Sequence, residues 1–138
     1  MASNPWLSVI FVAIMWGGWP ILARASGLNA IWVAVVGTTV GAIAVILVSS
    51  TLDQIKSVPD LKALIIGSLA GTMLGLGMFA YSKLVSNPEW EVSTLVPIAA
   101  GSITAITALG GILFFGEALG LAKAIGLACI VAGIALLS

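Results

Sequence analysis

Histidine is absent from the 138-residue sequence, cysteine occurs once, and charged residues make up only 7% of the chain. The absence of histidine excludes imidazole as a general base or a metal ligand, and one cysteine excludes a disulfide within the chain and a multi-cysteine metal cluster. Five basic and five acidic residues cancel, so no net charge favours nucleic acid. No phosphate-binding loop or nucleophile–base pair is present either. We therefore expect no enzyme activity, no metal or cofactor site and no nucleic-acid partner.

Apolar residues, in contrast, make up 61% of the chain. Ordinary soluble domains carry roughly 25% charged residues. A soluble domain this short has no means of hiding so much apolar surface, because small domains leave a large fraction of their surface exposed. Bilayer lipid removes that difficulty, so the composition predicts an integral membrane protein.

Uncharged runs of spanning length define the helices. A bilayer core about 30 Å thick requires about 20 apolar residues in a helix. The last uncharged run is short, and it reaches this length only if the helix begins near Leu119 and Lys123 extends its ammonium group back to the interface. We predict one all-α membrane domain over residues 1–138, with transmembrane helices at 5–25, 29–50, 61–84, 92–115 and 119–138.

The basic residues give only a weak preference for one orientation. With five spans, Lys56, Lys62 and Lys123 lie on the side of the N-terminus, and Arg24 and Lys83 on the other. The positive-inside rule then favours a cytoplasmic N-terminus by a small margin. Two interpretations stay open: one fixed orientation, or insertion in both orientations, which would produce an inverted-repeat dimer.

The first helix contains the segment Trp16-Gly17-Gly18-Trp19-Pro20. Pro20 has no N–H to donate to the carbonyl of Trp16, and its ring clashes there. Backbone groups freed at membrane depth must line a cavity or find partners in protein. The segment is therefore either part of a solute site, with indoles that stack on an organic molecule, or a packing kink.

Small residues follow helical faces elsewhere. Gly67, Gly71 and Gly75 predict a packing stripe on the third helix, and Gly37 is a packing candidate on the second. Tyr81 either lines a cavity or belongs to the interfacial aromatic belt. A face of the fourth helix lines a solute path or forms a packing seam, and its members are Thr94, Pro97, Gly101, Thr104, Ala108 and Gly111.

Every ionisable residue lies near the end of a span. Arg24 either attracts an anionic group of a solute or anchors its helix, and Glu91 and Glu117 are either coupling carboxylates or solvated, capping groups. Cys129 is interpreted as an apolar filler of the last helix.

Several segments together resemble the EamA-type domain of the drug/metabolite transporter superfamily. They are Trp16-Gly17-Gly18, Phe79-Ala80-Tyr81-Ser82-Lys83-Leu84, Val96-Pro97, Phe115-Gly116-Glu117 and the glycine-flanked segment 126–133. The resemblance covers essentially the whole chain as one five-helix unit. Typical members have two such units of inverted topology, so the resemblance implies one half of a ten-helix transporter in the inner membrane. Its partner is either a second copy, antiparallel or in the same orientation, or a related five-helix chain. The chain also resembles, more distantly, the four-helix small multidrug transporters. Those transporters carry an acidic residue within their first helix, and this chain does not.

The leading hypothesis from the sequence is a secondary transporter, an exporter or exchanger of a small organic metabolite or drug. Trp16, Trp19, Pro20 and Tyr81 are its candidate solute-binding residues, with Thr104 opposite. The alternative hypothesis is a non-transporting membrane subunit or scaffold that uses its glycine stripes to bind a partner membrane protein.

Overall fold

The computed structural model describes residues 5–51 and 59–138, and every regular element in these ranges is a helix. The elements are α1 (Pro5–Ala25), α2 (Ala30–Thr51), α3 (Leu61–Ser86), α4 (Val92–Phe115) and α5 (Leu121–Leu137). The first four are long and apolar enough to cross a membrane, and α5 is a shorter apolar helix of 17 residues. The predicted all-α membrane fold with five helices is therefore confirmed, and the chain is a multi-pass membrane protein. Lys56, used in the orientation count, lies outside the described residues.

Local backbone chemistry determines where α3, α4 and α5 begin and end. Asp60 caps α3, because its carboxylate accepts a hydrogen bond of 2.7 Å from the backbone N–H of Ala63. Gly116 ends α4 in the left-handed conformation, with a φ of 64°, which glycine adopts without a Cβ penalty. Gly120 is extended, so α5 begins at Leu121 rather than near residue 119 as predicted.

The helices divide into two compact units, one of α1–α3 ending at Pro88 and one of α4–α5 from Glu89 to Ser138. In the first unit, α3 packs against both α1 and α2. Its few buried side chains, which include Ala23, Val33 and Val85, lie where α1 ends, α2 begins and α3 ends. In the second unit, α4 packs against α5, as their short connection predicts.

Apolar side chains cover the outside of both units. Phe114 and Phe115, for example, are each 83% exposed. In water such a surface would be unstable, but lipid chains are as apolar as these side chains and solvate them without penalty.

The glycines of α3 and α4 have different surroundings. A Cβ built at Gly67, Gly71 or Gly75 would meet nothing within 4 Å, so the stripe on α3 does not pack within the described chain. A Cβ built at Gly101 would lie 2.8 Å from the Cδ1 atom of Ile134, because α5 approaches the backbone of α4 closely there. Among the described residues, another helix therefore approaches closely at Gly101 and not along the glycine stripe of α3.

Candidate functional site

A proline lies inside α1 at a buried position. The helix continues through Pro20, whose side chain is less than 2% exposed. Since Pro20 has no N–H, the carbonyl of Trp16 loses its helical partner. Pro20 lies five residues before the end of the helix, or roughly 8 Å at 1.5 Å per residue. The missing hydrogen bond therefore lies within the apolar part of the span.

The rings of Trp19 and Tyr81 meet beside Pro20. Their centroids are 5.5 Å apart and the ring planes are inclined by 37°. This separation lies within the range of favourable aromatic pairs. Both side chains are half-buried, unlike the exposed indoles of Trp6 and Trp32. The contact joins α1 to α3 next to Pro20 and forms the centre of the candidate site.

At Gly37, α2 also approaches this aromatic pair. A Cβ built at Gly37 would lie 3.6 Å from Nε1 of Trp19 and 3.9 Å from its Cζ2. The polar edge of the indole therefore faces the backbone of α2 at a position without a side chain. The sequence marked Gly37 only as a packing candidate, because no pattern within one helix shows which residue a neighbouring helix will present to it.

Trp16 and Thr104 are not part of this contact. Trp16 is 60% exposed, and the ring contacts found among the described residues do not include it. Thr104 is exposed on α4, in the other unit, where its hydroxyl donates a hydrogen bond of 2.9 Å to the carbonyl of Ala100. Of the predicted solute-binding residues, the structure thus brings together Trp19, Pro20 and Tyr81.

Arg24, at the end of α1, binds the end of α3. Its guanidinium donates hydrogen bonds to the carbonyls of Val85 at 3.0 Å, of Pro88 at 3.2 Å and of Asn87. The last carbonyls of a helix have no partner within the helix, and the C-terminal end of the helix dipole favours a cation. The sequence suggested helix anchoring as one role of Arg24 but did not identify these acceptors, because they are more than 60 positions away in the chain.

The two candidate carboxylates have local partners. Glu117 forms an ion pair with Lys123 at 2.8 Å, and both side chains are partly exposed. Gly111 makes room for this carboxylate, because a Cβ there would lie 3.0 Å from Oε2 of Glu117. Glu91 is exposed and accepts a hydrogen bond of 3.1 Å from the hydroxyl of Thr94. The ion pair between Glu117 and Lys123 links the α4–α5 connection to the first turn of α5.

The potential metal ligands among the described residues are not grouped into a site, and the chain has a single cysteine. Within residues 5–51 and 59–138, no group of three or more His, Cys, Asp or Glu side chains is placed to hold a metal ion. Cys129 is a free, exposed thiol on an apolar helix.

Comparison with known proteins adds one finding. The family model described as the EamA-like transporter family matches residues 5–138 of the chain. No curated protein and no solved structure matches it. The matched residues include all five helices and every residue discussed above.

Proposed function

This chain belongs to the EamA-like transporter family, and on that basis we propose that it is a secondary transporter, an exporter or exchanger of a small organic metabolite or drug. In this proposal the five helices act as one domain in the inner membrane of the cell. Two such domains form the working dimer, and the solute crosses by alternating access between them.

The observation that carries the proposal is the Trp19–Tyr81 pair beside Pro20, which lies inside α1 and removes one backbone hydrogen bond from it. Binding sites of secondary transporters typically lie where the regular hydrogen bonding of a membrane helix is lost, because free backbone groups are tolerated only next to protein or a cavity. Aromatic side chains supply large apolar contact area together with a polar edge. A pair of this kind suits an amphipathic organic solute better than a hydrated inorganic ion.

The exposed glycine stripe of α3 supports the dimer. Membrane helices associate through small residues that let their backbones approach, and Gly67, Gly71 and Gly75 have open space beside them. The weak charge bias of the sequence is compatible with a second copy in the opposite orientation. We propose that this stripe contacts a second copy or a related five-helix chain.

The same stripe also favours the second candidate function, a non-transporting subunit that binds a partner membrane protein. The two functions make opposite predictions for flux in a purified system. A transporter moves solute without any other protein, whereas a subunit needs its partner.

Replacing Trp19 with alanine is expected to reduce solute efflux by up to roughly tenfold, because the aromatic pair with Tyr81 would be lost. Purified protein would be reconstituted into liposomes loaded with a broad metabolite mixture, and efflux would be followed by mass spectrometry against protein-free vesicles. Trp32→Ala is the matched control, since Trp32 is an indole that is 56% exposed on α2. Circular dichroism would verify that both variants are helical.

Equal efflux from the Trp19→Ala and Trp32→Ala proteins would show that the aromatic pair is not part of the transport path. No selective efflux from the wild-type protein, shown to be dimeric, would favour the partner-binding subunit instead.

Replacing Glu117 with glutamine is expected to lower the free energy of unfolding by less than about 1 kcal/mol, because exposed ion pairs contribute little. We propose that Glu117 is a structural residue, so efflux driven by a pH gradient should also be unchanged. Thermal unfolding in detergent and efflux with and without the gradient would be measured. Lys123→Gln is the control, since it removes the same ion pair. Loss of pH-gradient dependence in the Glu117 variant alone would identify a coupling carboxylate.

A further inference from the structure

The indole N–H of Trp19 has no hydrogen-bond partner within residues 5–51 and 59–138. Trp19 lies six residues before the end of α1, which is roughly 9 Å inside the helix terminus. At that depth a polar group without a partner is unfavourable by several kcal/mol in hydrocarbon. Because the side chain is half-buried against α3, it is not placed like an indole of the interfacial belt.

An indole has one polar group, and this group only donates. Its partner must therefore be a hydrogen-bond acceptor, such as a carbonyl, carboxylate or aromatic ring nitrogen. The hydroxyl of Tyr81 has no partner in the described chain either, but it both donates and accepts and so selects less sharply. Of the two side chains, only Trp19 would therefore accept a ligand with a hydrogen-bond acceptor and reject one with only a donor at this position.

On the side of α2, Gly37 places no side chain against this donor. The nearest side-chain position on that helix would bring a methyl group to 3.6 Å from Nε1, an ordinary van der Waals contact. Alanine at this position would therefore fit without strain, yet it would place an apolar group against the N–H.

We propose, as an extension of the transport function proposed above, that the indole N–H of Trp19 determines solute specificity. The solute is an organic molecule with an apolar body that packs against the aromatic pair. It presents a hydrogen-bond acceptor to Nε1 of Trp19, and Gly37 keeps the approach to this atom open.

Nuclear magnetic resonance of the intact chain tests this directly. The protein would be labelled with 15N at its five indoles and studied in micelles, with the Trp19 signal assigned by its loss in Trp19→Phe. Quinoline and naphthalene are the two probes, because they share a two-ring outline and only quinoline has an acceptor. Quinoline is expected to shift the indole proton of Trp19 downfield, and naphthalene is not.

Two glycine variants of α2 separate the proposed contact from general effects. Gly37→Ala is expected to weaken quinoline binding roughly tenfold, the effect of losing one hydrogen bond. Gly41→Ala is the matched control one turn along the helix, where a Cβ would meet nothing within 4 Å, and it should leave binding unchanged. Both variants should unfold at or above the wild-type temperature, since alanine favours helix more than glycine does.

Three results would overturn the inference: equal shifts with both probes, no shift with quinoline, or a Trp19 proton already at a hydrogen-bonded position without any probe. Efflux from the metabolite mixture would be measured on the same wild-type preparation. Selective efflux without a quinoline shift would reject the specificity role and leave transport standing. A quinoline shift without efflux would support the donor role and reject transport.

Discussion

Arg24→Ala is expected to lower the free energy of unfolding by about 3 kcal/mol, the largest effect that we predict for loss of a single polar side chain. The guanidinium donates to the carbonyls of Val85, Asn87 and Pro88, and hydrogen bonds to charged groups contribute about 1.5–3 kcal/mol each. Its removal leaves carbonyls at the end of α3 that no helical N–H can satisfy. Thermal unfolding in detergent, followed by circular dichroism, would measure the loss.

Two variants give this prediction its controls. Arg24→Lys keeps the charge, but an ammonium group does not reproduce the fork geometry of a guanidinium. Its free energy of unfolding should therefore fall by about half as much as that of Arg24→Ala. Lys83→Ala removes a different cation from the end of α3, one that lies 4.6 Å from the ring centre of Phe79, and it should have a much smaller effect. Equal stability of Arg24→Ala and Lys83→Ala would contradict the bridging role.

The same variants separate the two sequence-based interpretations of Arg24. If Arg24 only holds α1 against α3, efflux and stability should fall together in both of its variants. If Arg24 attracts an anionic group of the solute, Arg24→Lys should keep its efflux although it stays destabilised.

Gly101→Leu is expected to separate α4 from α5 and to lower the free energy of unfolding by about 3 kcal/mol, at the upper end of the range for overpacking. Even a Cβ at this position would lie 2.8 Å from Cδ1 and 2.9 Å from Cγ1 of Ile134. A leucine adds three more carbon atoms in the same direction. Unfolding in detergent would measure the loss, and a cysteine pair placed across the two helices would report their separation by its crosslinking yield.

Gly126→Leu on α5 is the matched control, because a Cβ there would meet nothing within 4 Å. The double variant Gly101→Ala with Ile134→Ala should recover most of the packing, since shortening Ile134 removes the two atoms nearest to the new methyl group. A Gly101→Leu protein as stable as Gly126→Leu would contradict the close approach of the two helices.

Glycines with the same sequence signature thus have different roles. The spacing of Gly67, Gly71 and Gly75 indicates a packing stripe as clearly as any pattern in the chain, and from the sequence a leucine at Gly71 should disrupt folding. In the structure, a Cβ at any of the three would meet no atom of the described chain within 4 Å. Gly101 and Gly111 carry the close contacts instead, one with a helix and one with a carboxylate.

The candidate site shows the same division. Trp19, Pro20 and Tyr81 were predictable individually, because a proline in an apolar helix and an aromatic residue near a span end are visible in one dimension. Their meeting point, the position of Gly37 beside the indole, and the three bonds of Arg24 were not predictable. Each of these depends on how far one helix is rotated about its axis relative to another.

The sequence by itself determined the number of helices, their approximate limits and the membrane environment. Lipid imposes these properties directly, since backbone polar groups that face hydrocarbon must be hydrogen-bonded within a helix and each span must be long enough to cross the bilayer. The tertiary structure decided which faces of the helices meet and which glycines are crowded. It also decided which of the terminal charges are engaged. These properties arise because outward-facing and inward-facing apolar residues look alike in a membrane protein, so hydropathy has no means of distinguishing lipid from a neighbouring helix.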